Sequence, residues 1–274
     1  MAAAVTARAV LVMLLALSTT GAAQAPGDSA VAAREFVAQV REATVRYRDQ
    51  AQAVQDGYRP IGPDFPGMGE HWISVPLLLE GGLDRRRPPI LEYARLGGEV
   101  TLVGAAFAVL LAAGQPPPAL DGLTLDPTAW HYHGGTVQEE SFVAAHAHGH
   151  PSDAGGPRVA VLHVWAWLDN PDGPFATDNW ALPFARLGLP RPALPPNRDV
   201  AHALALASGG EGYYLALVAA VAPLDSMQRA AVTEGLARAA AEIRSLLERY
   251  PLEESLPLAG SRWVALRGDV PSLP

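Results

Sequence analysis

Two histidines, His131 and His133, stand two positions apart in a stretch that also contains Trp130 and Tyr132. A β-strand projects residues i and i+2 from one face, so a strand here would direct both imidazoles to one side and both aromatic rings to the other. Paired imidazoles at this spacing can chelate zinc, copper, nickel or iron. The spacing therefore predicts part of a metal site.

Two further histidines lie in apolar stretches that also carry tryptophan. His71 follows a loop rich in glycine and proline and precedes Trp72, and His163 lies in an apolar run at 159–168. A neutral histidine is tolerated in an apolar strand only where its ring nitrogens are satisfied, by a metal or by hydrogen bonds. The conjunction of the three stretches predicts one site whose metal ligands are His71, His131, His133 and His163.

The carboxylates nearest to these histidines in sequence are Glu70, Glu139 and Glu140. Each is a candidate for a fourth ligand, for a partner that orients a ligand, or for a general base. Glu139 and Glu140 would otherwise begin a helix or lie in a solvated turn. A separate run, His146, His148 and His150, lies beside glycine and proline and is interpreted as a polar loop outside the site.

Composition restricts the chemistry. The chain has 274 residues, 49% of them hydrophobic, a net charge of −8 and no cysteine. Thiolate ligands and cysteine nucleophiles are therefore excluded, and an acidic chain without a basic stripe argues against nucleic acid as a partner. Nitrogen and oxygen ligands favour zinc or copper, and the thioether of Met68 inclines the choice toward copper.

The N-terminus has the pattern of a secretory signal peptide. Arg8 precedes an apolar run at 9–17, which is too short to span a bilayer, and small residues follow up to Ala23. We expect residues 1–25 to be removed and the mature protein to be periplasmic or secreted, without stable membrane insertion. A homo-oligomer is compatible with the sequence.

The elements that position the histidines can be predicted from periodicity and breakers. A helix is expected over 29–57, a loop over 61–69, strands over 73–79, 90–96 and 100–111, and a central strand over 159–168. Helices are expected over 199–207 and 225–250, while 212–221 fits helix or strand.

The predicted fold is α+β: an N-terminal helix packed on an antiparallel sheet that could close into a barrel, with a helical C-terminal segment. The expected divisions are 1–25, a β-rich histidine-site domain at 26–196, and the helical segment at 197–274.

The pair His131 and His133, followed by Glu139, resembles the first motif of the cupins. In that family a glutamate follows the H-x-H pair after three or four residues, whereas five intervene here. His163 would supply the histidine of the second motif. This resemblance implies a metal-dependent oxygenase or isomerase using the same histidines.

A second resemblance covers roughly residues 47–180. The motifs are G-M-G-E-H-W at 67–72, L-V-G at 102–104, and L-H-V-W-A-W at 162–167 with N-P-D-G at 170–173. They are similar to a family of small, uncharacterised exported bacterial proteins typified by a Thermus stress-associated protein. The resemblance implies a compact β-rich domain with His71 and His163 near one another, and no known reaction. It also implies a glutamate soon after L-V-G, where this chain has alanines and Phe107. Either the His131/His133 pair replaces that ligand or the site has changed purpose.

The sequence thus predicts an exported protein that binds zinc or copper through clustered histidines, with a non-catalytic or stress-related role. The first alternative is a cupin-like metalloenzyme. The second is a metal-free structural or interaction protein whose histidines are hydrogen-bonded in the core. Because zinc–nitrogen bonds are about 2 Å long, separations of more than about 10 Å between the histidines would contradict both metal hypotheses.

Overall fold

The computed structural model describes residues 26–126, 129–133 and 158–250. The predicted signal peptide, the carboxylates Glu139 and Glu140, and the polar-loop run of three histidines lie outside these ranges. The fold is mixed helix and strand, as predicted, with an N-terminal helix, a curled antiparallel half-barrel sheet and C-terminal helices.

The N-terminal helical region is interrupted rather than continuous. It consists of α1 (Pro26–Thr44), a short 3-10 turn (Val45–Arg48) and α2 (Gln50–Gln55). Asp49 begins α2 because its side chain accepts a hydrogen bond from the backbone N–H of Ala51 at 3.0 Å. Gly57, with φ of 91°, turns the chain toward the sheet where the sequence predicted the helix to end.

Six strands form one sheet in the described part of the chain. They are β1 (Arg59–Phe65), β2 (Gly69–Ile73), β3 (Ile90–Leu96), β4 (Glu99–Leu111), β5 (Trp130–His133) and β6 (Arg158–Val164). Their order is β1-β2-β3-β4-β6-β5, and every neighbouring pair is antiparallel. Strands β1 to β4 form an antiparallel meander, of which β3 and β4 were predicted, and β6 is inserted between β4 and β5. The prediction that β6 is an internal strand is confirmed.

Two local predictions were wrong. Residues 59–65 form β1 where a loop was expected, and the expected strand at 73–79 ends at Ile73 and is replaced by α3 (Val75–Glu80). Pro76 explains the second error, because proline at the start of a helix costs no hydrogen bond and presets the helical φ. The apolar run alone could not distinguish a buried strand from a short helix.

The two faces of the sheet bury different cores. On one face, Leu91, Phe107 and Leu162 pack with Phe36 and Val40 of α1 in the main core. The opposite face carries a smaller cluster built on Ile90, Ala106, Ala108 and Val161. The smaller side chains on this second face leave room beside them for polar groups.

The C-terminal part is helical, as predicted. Its helices are α4 (Leu182–Leu187), α5 (Arg198–Ala207), α6 (Glu211–Val221) and α7 (Ser226–Arg249). Asp225 caps α7 through a reciprocal pair of bonds with Gln228, so the helix expected over 225–250 begins where it was predicted. In the described ranges no single helix is both long and apolar enough to cross a bilayer; α5 and α6 reach that composition only together and are bent by 113°.

Arg186 joins α4 to β1 through a bidentate ion pair with Asp64, at 2.7 and 2.6 Å. Its side chain is 3% exposed, whereas Arg238, paired with Glu234 on α7, is 72% exposed. We expect Arg186→Ala to lower the free energy of unfolding by about 2–3 kcal/mol, because charge-assisted bonds are lost at a buried site. The matched change Arg238→Ala should cost less than about 0.5 kcal/mol. Urea unfolding of both variants tests this; equal effects would contradict it.

Candidate metal centre

Three strands of the curled sheet bring together two imidazoles and one carboxylate. His71 lies on β2, Glu92 on β3 and His163 on β6, and one ligand atom from each lies within 4.8 Å of the other two. Among the described residues, this is the one group of at least three histidine or acidic side chains with such spacing. The group is therefore close enough to hold a metal ion.

The strand register places the three side chains on one face. His71 is opposite Glu92, Ile90 is opposite Ala106, and Ala106 is opposite His163. Opposite residues of an antiparallel pair share a face, and so do residues two apart on one strand. The triad therefore continues the face that carries the smaller apolar cluster. His71 and His163 reach each other across the intervening strands because the sheet is curled.

The triad is almost completely removed from solvent. The exposed fraction is 0% for the side chains of Glu92 and His163 and 1% for His71. His163 Nδ1 lies against Glu92 Oε1, and His71 Nε2 is 3.9 Å from the same oxygen. Within the described residues, neither Glu92 oxygen accepts a hydrogen bond of acceptable geometry. A carboxylate in this position requires a positive partner, since an uncompensated buried charge is very costly.

Gly104 on β4 makes the space that the carboxylate occupies. A Cβ at this position would meet Glu92 Oε2 far inside van der Waals contact and would lie 2.9 Å from the carbonyl oxygen of Val164. The backbone φ of Gly104 is not in the left-handed region, so its role is steric. The glycine of the L-V-G motif is thus explained by the carboxylate beside it.

His131 and His133 lie next to the triad. The His131 ring stacks on His163 with centroids 4.9 Å apart and planes 27° apart, and the His71 and His163 centroids are 5.6 Å apart. The Nε2 atoms of His131 and His133 are separated by 3.1 Å. The four histidines form one continuous row of rings, so the separation that would have contradicted a shared site is not found.

Residues Trp130–His133 form strand β5, so the condition under which the two imidazoles share a face is met. Trp130 is buried in the main core with Tyr132 packed against it, on the face opposite the two histidines. The sequence spacing therefore fixed the direction of both imidazoles correctly.

Sequence reasoning considered Glu70 and overlooked Glu92. Glu70 lies on the other face of β2 from His71, where its carboxylate accepts a hydrogen bond from Trp72 Nε1 at 2.6 Å. Glu92 could have been recognised in the sequence as an acidic residue inside an otherwise apolar run, because Leu91 and Tyr93 flank it in β3. A carboxylate therefore lies beside Gly104, and it comes from the neighbouring strand β3.

The donor set fits a first-row transition metal. Two imidazoles and one carboxylate are ligands of zinc and of non-haem iron. Bonds of about 2.0–2.1 Å place the ligand atoms of a tetrahedral ion about 3.4 Å apart. The 3.9 Å between His71 Nε2 and Glu92 Oε1 is therefore within a small side-chain adjustment of that geometry.

An apolar depression of about 330 Å³ lies beside the triad. Phe65 belongs to its wall and contacts His71 on one side and Tyr213 on the other, with centroid distances of 5.3 and 5.7 Å. Met68, which the sequence offered as a copper ligand, is buried in the wall of this depression.

The carboxylate of Asp178 also lines the depression and is electrostatically coupled to His163. The depression and the triad are therefore neighbouring sites with Phe65 between them. Comparisons of the chain with protein-family models, with curated proteins and with solved structures found no match.

Proposed function

We propose that this protein binds a single zinc ion through His71, Glu92 and His163, with His131 as the fourth ligand. The observation that carries the proposal is the fully buried Glu92 carboxylate between two buried imidazoles. His131 is chosen as the fourth ligand because its ring stacks on His163 beside the triad, and its side chain would have to move toward the ion to complete the shell. Four protein ligands complete a tetrahedral shell, which is the pattern of zinc sites that bind without catalysing.

A metal ion explains the burial of three polar side chains better than an ion pair alone does. A protonated His163 could neutralise Glu92, but the pair would leave the other carboxylate oxygen and the second His163 nitrogen without hydrogen bonds from the described residues. A buried ion pair repays its desolvation only when its remaining polar atoms are satisfied. A divalent cation attracts the carboxylate and uses imidazole nitrogens as ligands.

Zinc is favoured over copper by the donor atoms. Imidazole and carboxylate suit zinc, whereas the preference of Cu(I) is for thiolate and thioether sulfur. Met68 lies in the wall of the depression, and the triad itself contains nitrogen and oxygen donors.

Binding is favoured over catalysis by burial and by the position of Glu70. A catalytic zinc ion needs an open coordination position and a base beside it. Three of the four proposed ligands are at most 1% exposed, His131 is half-buried, and Glu70 lies on the opposite face of β2. The proposed role is therefore to hold or buffer metal, and the signal-like N-terminus supports a location outside the cytoplasm.

The test is zinc titration of the metal-free protein, with a chromogenic chelator competing for the ion. We expect one equivalent to bind and to raise the melting temperature. His163→Asn, which keeps a polar side chain of similar shape, should weaken binding by about 100-fold or more, because a ligand is lost.

The matched control is His202→Asn. His202 is exposed and bonds through Nδ1 to the hydroxyl of Tyr214 at 2.8 Å, outside the triad. Its replacement should leave zinc affinity unchanged. Zinc binding that survives His163→Asn, or a purified protein that takes up no zinc, would overturn the proposal.

A further inference from the structure

The depression beside the metal centre combines aromatic walls with one acidic group. The acidic residue that lines the depression is Asp178. The aromatic residues that line it are Phe65, Trp180, Tyr213 and Tyr214. Its volume, about 330 Å³, falls in the range of pockets that bind small molecules.

The aromatic rings are arranged at steep angles to one another. The planes of Phe65 and Tyr213 differ by 63° with centroids 5.7 Å apart, and those of Tyr213 and Tyr214 differ by 76° with centroids 5.3 Å apart. Rings at such angles meet edge to face, so the aromatic residues that line the depression differ in orientation. Aromatic side chains around a site attract alkylated ammonium groups, because their ring faces attract positive charge.

Asp178 is the acidic residue that lines the depression. Its side chain packs beside Gly67, where a Cβ would lie 3.2 Å from Oδ1. The loop that carries it is fixed, since Asn179 N–H donates to the carbonyl of Gly67 at 2.8 Å and Asn170 Nδ2 donates to the carbonyl of Asp178 at 2.9 Å. The carboxylate is therefore carried by a fixed segment of the wall.

The protein around Asp178 displaces water and raises the pKa of its carboxyl, and the nearby His163 offsets this only in part. The residue itself is exposed, so a ligand can reach it. The carboxylate in turn contributes to the raised pKa of Tyr213, after the larger effect of burial, which shows that the two groups are close. A bound cation would stabilise the ionised carboxylate in this environment.

We propose that this depression binds a small organic cation with an alkylated ammonium group, which pairs with Asp178 and packs against Phe65, Tyr213 and Tyr214. The site is separate from the zinc ligands and does not depend on the metal assignment. The net charge of −8 adds a general attraction for cationic ligands.

The experiment compares choline with its uncharged carbon analogue, 3,3-dimethyl-1-butanol. The two probes have nearly the same shape, so a difference in affinity reports the charge. By isothermal titration calorimetry we expect choline to bind at least about tenfold more tightly, consistent with the strength of cation–π and charge pairing. Equal binding of the two probes, or no saturable binding of choline, would overturn the proposal.

Two variants test whether choline binds beside Asp178. Asp178→Asn should weaken choline binding by about tenfold while leaving the binding of the neutral analogue unchanged. Asp172→Asn changes an exposed aspartate in a nearby turn and should alter neither. Choline binding that is insensitive to Asp178→Asn would contradict the proposed site. Glu92→Gln, which removes a zinc ligand, should retain choline binding, so failure of one proposal is distinguishable from failure of the other.

Discussion

Replacing Glu92 with glutamine is expected to remove most of the stabilisation that zinc gives this protein. The amide is a poor zinc ligand, so the affinity should fall by about 100-fold or more, equivalent to about 2.7 kcal/mol. Zinc at 1,000 times its Kd stabilises the wild-type fold by about 4 kcal/mol, and most of this increment should disappear. Thermal and urea unfolding with and without zinc measure the difference.

The stability of the two proteins without zinc distinguishes a metal site from a structural ion pair. If Glu92 and His163 were only an ion pair, removing one charge would leave the other buried and cost about 3–5 kcal/mol whether or not zinc is present. If the carboxylate is a metal ligand, its replacement removes an uncompensated charge from the metal-free protein. Metal-free Glu92→Gln should then be as stable as the metal-free wild type, or more stable.

Glu70→Gln is the matched control. It introduces the same chemical change on the neighbouring strand, where the side chain accepts a hydrogen bond from Trp72 Nε1. A glutamine amide oxygen can accept the same bond, so zinc-dependent stability should be preserved. Large destabilisation of Glu92→Gln that is independent of zinc would favour the metal-free interpretation of the cluster.

Gly104→Ala is the second variant with a large expected effect. The added methyl group would collide with Glu92 Oε2 and approach the carbonyl of Val164 to 2.9 Å. Both neighbours lie in packed strands, so the sheet or the carboxylate must move. We expect a loss of about 2–4 kcal/mol in the free energy of unfolding, as for other overpacked core positions, together with weakened zinc binding.

Gly235→Ala provides a control of opposite sign. Gly235 lies within α7, and a Cβ there would meet nothing within 4 Å. Alanine has the higher helix propensity, so this change should stabilise the protein by about 0.5–1 kcal/mol. Urea unfolding measures the stability of the two variants, and zinc titration measures their affinity for zinc. A neutral Gly104→Ala variant would show that Gly104 is not what makes room for the carboxylate.

The sequence was informative where local chemistry determines the structure. The i, i+2 spacing of His131 and His133 predicted their common face, and Asp225 marked the start of α7 because its side chain satisfies a backbone N–H of the first turn. The turn at Gly97 and Gly98 was also predictable, since both adopt positive φ, at 58° and 89°.

The carboxylate ligand could not be found in the same way. Glu92 becomes part of the triad through the register of β3 with β2 and β4, which depends on long-range pairing. Proximity in sequence instead favoured Glu70, whose strand alternation directs it to the opposite face. A buried acidic residue inside an apolar strand was the stronger clue, because such a residue is retained only with a compensating partner.

The order of the strands has a consequence for how the proposed metal site would form. Because β6 lies between β4 and β5, the strand with His131 and His133 has no described strand neighbour until residues 158–164 are in place. His163 also arrives with β6, so a nascent chain that ends before it contains His71 and Glu92 but no complete triad. Pairing two strands that are far apart in sequence, such as β4 and β6, is slow compared with forming a hairpin. A metal ion would therefore bind after β6 has paired with its neighbours. Metal occupancy would then indicate that β6 has been inserted into the sheet.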